Sequence, residues 1–357
     1  MTKFVARAPV RVDPAGGGTD APPYCIDHGG AVVNFSVARH AHASFEHLPR
    51  GSGIILYSHD HRKGVHAASV GDLKLDGQLD LLKVFVRRLL GPDESCLLVT
   101  QSDVPQGTGL GGSGALGVAI LGAITQALGK KMTRDEIALL ANDIERADLG
   151  NVGGNQDSYA AAMGGIKLIT YAKGGGSSCM PIQLSEKTRG QLECDTLLIY
   201  TGDVHLSGSI HTDIRTSYAL PDSPTVRAMD NLKAAALKMA PALQAGDIDA
   251  YVEALNSARQ NHYALHPSCD SDTLRKFFKE LSPCIRGGKA CGAGGGGFIM
   301  VHAAAGCRKE CARIAEALGG LVWPFQLDDR GLMNWEEPPS SPEQIATLRK
   351  LAGKTPA

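Results

Sequence analysis

A chain of 357 residues is longer than one small core requires, so two packed domains are expected. Its 36 basic and 37 acidic side chains leave a formal charge of -1 with no basic block, which excludes a nucleic-acid surface built on clustered Lys and Arg. A 43% hydrophobic, 20% charged composition excludes wholesale disorder, and no apolar run reaches the roughly 18 residues of a membrane span.

The N-terminal stretch MTKFVARAPVRV lacks the apolar segment of a secretion signal, and residues 4–13 read as a strand. A Pro/Gly-rich loop over 14–30 follows, then an alternating strand over 31–45 (Val33, Phe35, Val37, Ala41, Ala43, Phe45). Gly53 to Ser58 extends the sheet, Leu79 to Leu90 has helical spacing, and Ser95 to Gln101 is a strand. After a loop from Asp103, Ser113 to Leu128 reads as an apolar helix. Thr133 and Glu136 then form a capping box for a helix reaching about Ala147, with Ile137, Leu140, Ala141 and Ile144 as its buried stripe. Strands are expected at Ile166 to Tyr171 and Thr196 to Tyr200, and helices from Pro224 to Leu281. A strand at Phe298 to His302, a helix at Arg308 to Leu318 and a strand at Leu321 to Phe325 follow. The remainder, from residue 336, is polar and contains Pro and Ser, and is expected to be a surface tail. A sheet-rich first half and a helix-plus-strand second half give an α+β fold: 1–190, 191–337 and a tail over 338–357.

Nine cysteines run from Cys25 to Cys311 with no CxxC pair, a pattern of reduced thiols expected in a cytoplasmic protein. Cys307 and Cys311, four apart on a helix, offer two zinc ligands without partners. His40/His42 and His59/His61 are i, i+2 pairs, each sharing one strand face; they read as surface residues, with metal binding as the alternative.

Of the 43 glycines, three clusters stand out. Glycine weakens regular elements, so dense clusters mark backbone that something must approach closely. In Asp103 to Ala115, DVPQGTGLGGSGA, a strand enters a glycine loop that opens a helix whose first polar side chain is Ser113. Bare N–H groups at a helix N-terminus suit an anion. The spacing is not that of a Walker loop. Gly107, Gly109 and Gly112 satisfy G-x-G-x-x-G, which keeps an NAD-dependent oxidoreductase open, although no acid ends a second strand some 20 residues on. A helix-entry turn without a ligand is the plainer alternative. In APVRVDPAGGGTD, Gly16 to Gly18 precede Thr19 and Asp20, side chains able to grip a polyol. KACGAGGGGF carries Gly294, Gly295 and Gly296 between apolar strands and is expected to approach a ligand. Glu145 and Asp157 are acids that a nucleotide loop would turn into a Mg²⁺ ligand and a carboxylate beside an acceptor hydroxyl.

In this order the three clusters resemble the three motifs of the GHMP kinases, over residues 6–302. The branch acting on heptose phosphates and fucose is the most similar: Pro9-Val10-Arg11, Gly16-Gly17-Gly18-Thr19-Asp20-Ala21-Pro22-Pro23-Tyr24, then His28-Gly29-Gly30-Ala31-Val32-Val33. The resemblance implies a ribosomal-S5-like N-domain, a ferredoxin-like C-domain, a site between them, and ATP with Mg²⁺. It implies that Pro105, Gly107, Gly109, Leu110, Gly111, Gly112, Ser113 and Gly114 wrap ATP phosphates, with Gly112 standing where the family usually has a serine. Ser113 and Glu145 become the Mg²⁺ ligands, Asp157 the residue that orients or deprotonates the acceptor, and Arg11 its partner. Gly17, Gly18, Thr19, Asp20, His28 and Gly294 to Gly296 fall to the substrate. The implied activity is phosphorylation of the anomeric hydroxyl of D-glycero-D-manno-heptose 7-phosphate, with L-fucose or another aldose as the alternative. His205 stands where the heptose branch is expected to have an arginine. A catalytically inactive sugar sensor on the same fold is the rival from another class. The partner is a small sugar or sugar phosphate, with neither nucleic acid nor membrane.

Overall fold

The structure is a computed structural model that describes residues 2–151, 153–203, 207–220 and 223–353. The first sheet is built around two long antiparallel strands, β1 (Lys3–Ala15) and β2 (Gly30–His47). Both lie deep in the protein and are covered on both faces over much of their length, with one face of each apolar and the other carrying polar side chains. β3 (Ile54–Ser58), β4 (Lys63–Ala67) and β5 (Cys96–Ser102) extend the sheet in the order β1-β2-β5-β3-β4. The far half of β2 pairs with β5, and its near half pairs with β6 (Ile166–Tyr171), which carries β7 (Ser177–Pro181). One strand thus serves two branches of the sheet. The β1–β2 register shifts at Pro9, which has no N–H to give to the ladder.

The loop between β1 and β2 contains a short helix, α1 (Tyr24–His28). Against the sheet lie α2 (Asp80–Leu89), α3 (Gly112–Ala127), α4 (Arg134–Leu149) and α5 (Gln156–Met163). α3 is buried on nearly every side, which accounts for its sequence of Ala, Leu, Ile and Gly. α4 has the expected capping box, with the Thr133 side chain accepting from the Glu136 N–H, and Ile137, Ala141 and Ile144 face inward.

α6 (Glu186–Asp195) leads to the second sheet: β8 (Thr196–Tyr200), β9 (Ile285–Ala290), β10 (Phe298–Ala303) and β11 (Leu321–Pro324), in the order β11-β8-β10-β9. Numbered along the chain this is 4-1-3-2. With α7 (Ser207–Tyr218), α8 (Pro224–Ala245), α9 (Ile248–Tyr263) and α10 (Asp272–Leu281) before β9, and α11 (Arg308–Ala317) before β11, it is the ferredoxin-like arrangement. The two faces follow the period of two. Leu197, Ile199, Ile299 and Val301 meet Phe277, Leu281 and Cys311, while Leu198, Phe298 and Met300 join the large core of the first sheet.

The segment expected to be a polar tail is instead structured. β12 (Met333–Glu337) returns to the first sheet and pairs antiparallel with β1, from Lys3↔Glu337 to Arg7↔Met333. α12 (Pro342–Ala352) follows, capped by reciprocal Ser341 and Gln344 bonds. It lays Ile345, Leu348 and Ala352 on Ile55 and Leu97. That stripe is only three residues wide in a polar stretch, too narrow to register as amphipathic.

Candidate active site

The site grows from β1, where Arg11 and Asp13, two residues apart on a strand, project to one face. The backbone N–H of Arg11 donates to Leu110 O at 2.9 Å, fastening the glycine loop to the strand. Its side chain donates from Nε and Nη2 to Asp157 Oδ1, both at 2.7 Å, and from Nη1 to the Gly109 carbonyl. Burial opposes the guanidinium charge, but Asp157 and Asp13 outweigh it and raise the Arg11 pKa above its ordinary value. Arg11 is therefore a fixed cation that aims Asp157. Asp157 itself lies in the first turn of α5, where the helix dipole favours a negative charge.

The loop reaches Asp157 only because it is glycine. A Cβ on Gly111 would stand 3.1 Å from Asp157 Cγ, and one on Gly114 only 2.6 Å from Asp157 Cβ. Gly111, with φ of 70°, is the N-cap of α3, so the loop ends with helix N–H groups facing open space beside this carboxylate. Ser113, exposed in the first turn of α3, lies near Glu145 on α4, and both line the cleft. Asn151 Nδ2 donates to the same carboxylate at 3.2 Å. Burial, and then the charge of Asp157, push Glu145 up to about 7. A buried carboxylate beside a hydroxyl, short of positive charge, has the donor chemistry of a hard-cation site.

Behind Arg11 is a second layer. Asp13 accepts from Gly292 N–H at 2.8 Å and from Lys289 Nζ at 3.2 Å, and Lys289 also donates to Ala290 O at 2.9 Å. Burial would raise the Asp13 pKa, but Lys289 and Arg11 hold it below the ordinary carboxylate range. This buried pair joins β1 of the first sheet to β9 of the second. Asp20 is also buried; its carboxylate takes the Gly18 N–H at 3.1 Å and Gln156 at 3.4 Å, and burial followed by Asp157 raises it to about 6.

Arg11, Asp157, Ser113 and Glu145 all line one cleft of about 540 Å³, together with the whole of Pro105 to Gly114. Its far wall carries Asp60, His61 and Lys63 at the β3–β4 turn, and Gln78 and Leu79 before α2.

Comparisons with known proteins agree on what this architecture is. The GHMP kinases N terminal domain matches residues 80–165. Over 341 residues the chain is 30% identical to the D-glycero-alpha-D-manno-heptose 7-phosphate kinase of Campylobacter jejuni, covering 94% of this chain and 99% of that protein. The chain belongs to the GHMP kinase family. It is an ATP-dependent phosphotransferase of the sugar-kinase class. The crystal structure of a D-glycero-D-manno-heptose 1-phosphate kinase from Bacteriodes thetaiotaomicron superposes on this kinase with a TM-score of 0.78 at 28% identity, covering 94% of this chain and 100% of that one. The bifunctional fucokinase/GDP-fucose pyrophosphorylase of Arabidopsis thaliana is 26% identical over 314 residues, 83% of this chain and 29% of that protein.

The residues singled out in the kinase sequence divide sharply. The eight loop residues, Ser113 with Glu145, and Arg11 with Asp157 come together at the cleft. Gly17, Gly18, Thr19, Asp20, His28, Gly294, Gly295 and Gly296 do not line it. Thr19 is fully buried, its hydroxyl donating to Gly16 O at 2.8 Å and exchanging bonds with Ala31, so it braces the β1–β2 turn. Asp20 approaches Asp157 from behind, through Gln156. His28 is exposed, stacked on Tyr24 with ring centroids 5.1 Å apart and edge-on to Tyr218.

The third glycine cluster is packed against backbone: a Cβ on Gly292 would be 2.7 Å from Gly109 O and one on Gly297 2.5 Å from Thr108 O, both in the first loop, and one on Gly294 2.5 Å from Cys269 O, while Gly292 and Ala293 also line the cleft. His205 lies outside the described residues. Asp13, Lys289 and His211 were missed by the sequence reading. His211, on α7, lines the cleft, and burial holds its pKa below the ordinary imidazole value despite Asp157. Asp13 was within reach, since it stands two residues from Arg11 in a strand. Lys289 and His211 carry no local signal.

Proposed function

We propose that this kinase transfers the terminal phosphoryl group of ATP to the anomeric hydroxyl of D-glycero-D-manno-heptose 7-phosphate. The observation that carries the reading is the Arg11–Asp157 pair held at 2.7 Å against the glycine loop, facing the cleft that loop lines. The loop N–H groups and the α3 N-terminus bind and orient the phosphates. Asp157 takes or positions the proton of the acceptor hydroxyl, and Arg11 holds its carboxylate on line. Phosphoryl transfer needs little covalent help from the protein, so placement and fixed charge supply most of the rate. Ser113 and Glu145 are the residues that would hold Mg²⁺, which when bound neutralises phosphate oxygens. The heptose acceptor is supported by a relative named as a D-glycero-alpha-D-manno-heptose 7-phosphate kinase over nearly its whole length, and a heptose phosphate more broadly by the solved D-glycero-D-manno-heptose 1-phosphate kinase. We also read the chain as two domains meeting near residue 190, where α6 joins the sheets, and as cytoplasmic, in keeping with nine free cysteines.

A panel of acceptors with Mg²⁺-ATP and coupled detection of ADP tests this. D-glycero-D-manno-heptose 7-phosphate should give the highest kcat/KM, ahead of L-fucose and galactose. A preference for free L-fucose would move the assignment to the aldose 1-kinases, and no ADP release with any sugar would overturn it.

A further inference from the structure

None of His40, His42 and Asp103 lines the cleft. β2 places the two histidines on one face, and β5, pairing Ser102 with Ala41, delivers Asp103 between them. Asp103 N–H donates to His40 O at 2.9 Å, and His40 N–H returns a bond to Asp103 Oδ2 at 2.9 Å, so the carboxylate is fixed. One ligand atom from each of the three side chains lies within 4.8 Å of the others. Asp103 oxygens stand 3.8 Å from both His40 Nδ1 and His42 Nε2. That is too long for a hydrogen bond. It is close to the roughly 3.4 Å between neighbouring donors around a tetrahedral ion with bonds of ~2.0–2.1 Å.

The second nitrogen of His40 supplies an independent clue. Nε2 lies 2.8 Å from Asp328 Oδ2, and Asp328 Oδ1 is itself fixed by the N–H groups of Arg330 at 2.8 Å and Gly331 at 2.9 Å. Asp328 accepts only, so Nε2 donates to it, and Nδ1 is the ring atom left facing Asp103 and His42. A carboxylate bonded to the outer nitrogen of a histidine is also the usual support of a metal-bound imidazole. Arg7, the cross-strand neighbour of His42, brings a positive charge to this face, and its guanidinium donates to Met333 Sδ at 3.6 Å.

We propose that His40, His42 and Asp103 form a binding site for a divalent transition-metal ion, with Asp328 orienting His40. Two imidazoles and one carboxylate favour zinc and its neighbours over magnesium or calcium, and three protein ligands leave a position for water. The ion would tie β2 to Asp103, the residue at which the phosphate loop begins.

The test uses the full chain, stripped with a chelator and titrated with Zn²⁺ and, for its visible spectrum, Co²⁺. About one equivalent should bind, with a nitrogen/oxygen-type Co²⁺ spectrum and a rise in Tm. His42→Ala and Asp103→Asn should each lose the tight binding, and Asp328→Asn should weaken it roughly 10–100-fold. The His42 side chain is 37% exposed, so that variant keeps its fold even if Asp103→Asn does not. No binding, binding unchanged in His42→Ala, or a Co²⁺ spectrum dominated by thiolate charge transfer would each overturn the site.

Discussion

Two glycine-rich turns of similar composition do different work. The turn at 107–112 runs out of β5 into the N-terminus of α3, and its N–H groups and Ser113 face the cleft. The turn at 292–297 joins β9 to β10 and is almost wholly buried, pressed against Gly109 and Thr108. Both need glycine, the first so that Asp157 can come close and the second so that the first turn can. Glycine density therefore reports that backbone is closely approached, without saying whether a ligand or another loop does the approaching.

If chemistry belongs to the first turn and support to the second, substitutions should separate the two. Asp157→Ala should lower kcat by roughly 10³-fold while ATP still protects the protein in thermal melts; a rate near wild type would remove Asp157 from the reaction. Lys289→Met leaves Asp13 buried with a reduced share of positive charge and should destabilise the fold by about 3 kcal/mol in denaturant titration. Gly292→Ala forces a side chain at φ of 64° into Gly109 O and should cost about 2 kcal/mol. Its effect on the reaction should be a higher KM for ATP with kcat little changed; an unaltered KM would uncouple the two turns.

Glu145 sharpens the contrast through pH. Its folded pKa of about 7 stands above the ordinary 4.5, so its contribution to stability is fully present below pH 4.5 and is lost between there and pH 7. Glu145→Gln should therefore match wild type near pH 4 and exceed it at pH 8 by about 3 kcal/mol in Mg²⁺-free melts. The smallest effect is expected at Gly112, where a Cβ would meet only Val104 Cγ2 at 3.4 Å. Gly112→Ser should change stability by less than about 0.5 kcal/mol and lower KM for ATP modestly.

Periodic and capped elements were legible in the sequence: the Thr133 capping box, the apolar run of α3 and the alternation in β2 all appear where expected. Arg11 and Asp157, 146 residues apart, could be paired from the sequence only through resemblance, because nothing local in either segment points to the other. Lys289 carries no local sign of burial, which depends on Asp13 arriving from the other sheet. β4, β9 and α7 passed unread because they are short or mixed in pattern. His40 and His42 showed their shared face from spacing alone, whereas Asp103 and Asp328 come to them from distant parts of the chain.

The pairing of β12 with β1 makes the ferredoxin-like block an insertion within the first sheet, not an appendage to it. A single backbone cut near residue 190 would leave each fragment holding part of that sheet, so the nicked halves should stay together. Lys3 and Glu337 pair at one edge of that sheet, and α12 then carries the chain across to Ile55 and Gly64 on its other side, so the segment after the inserted block clasps the sheet whose strand β1 carries Arg11.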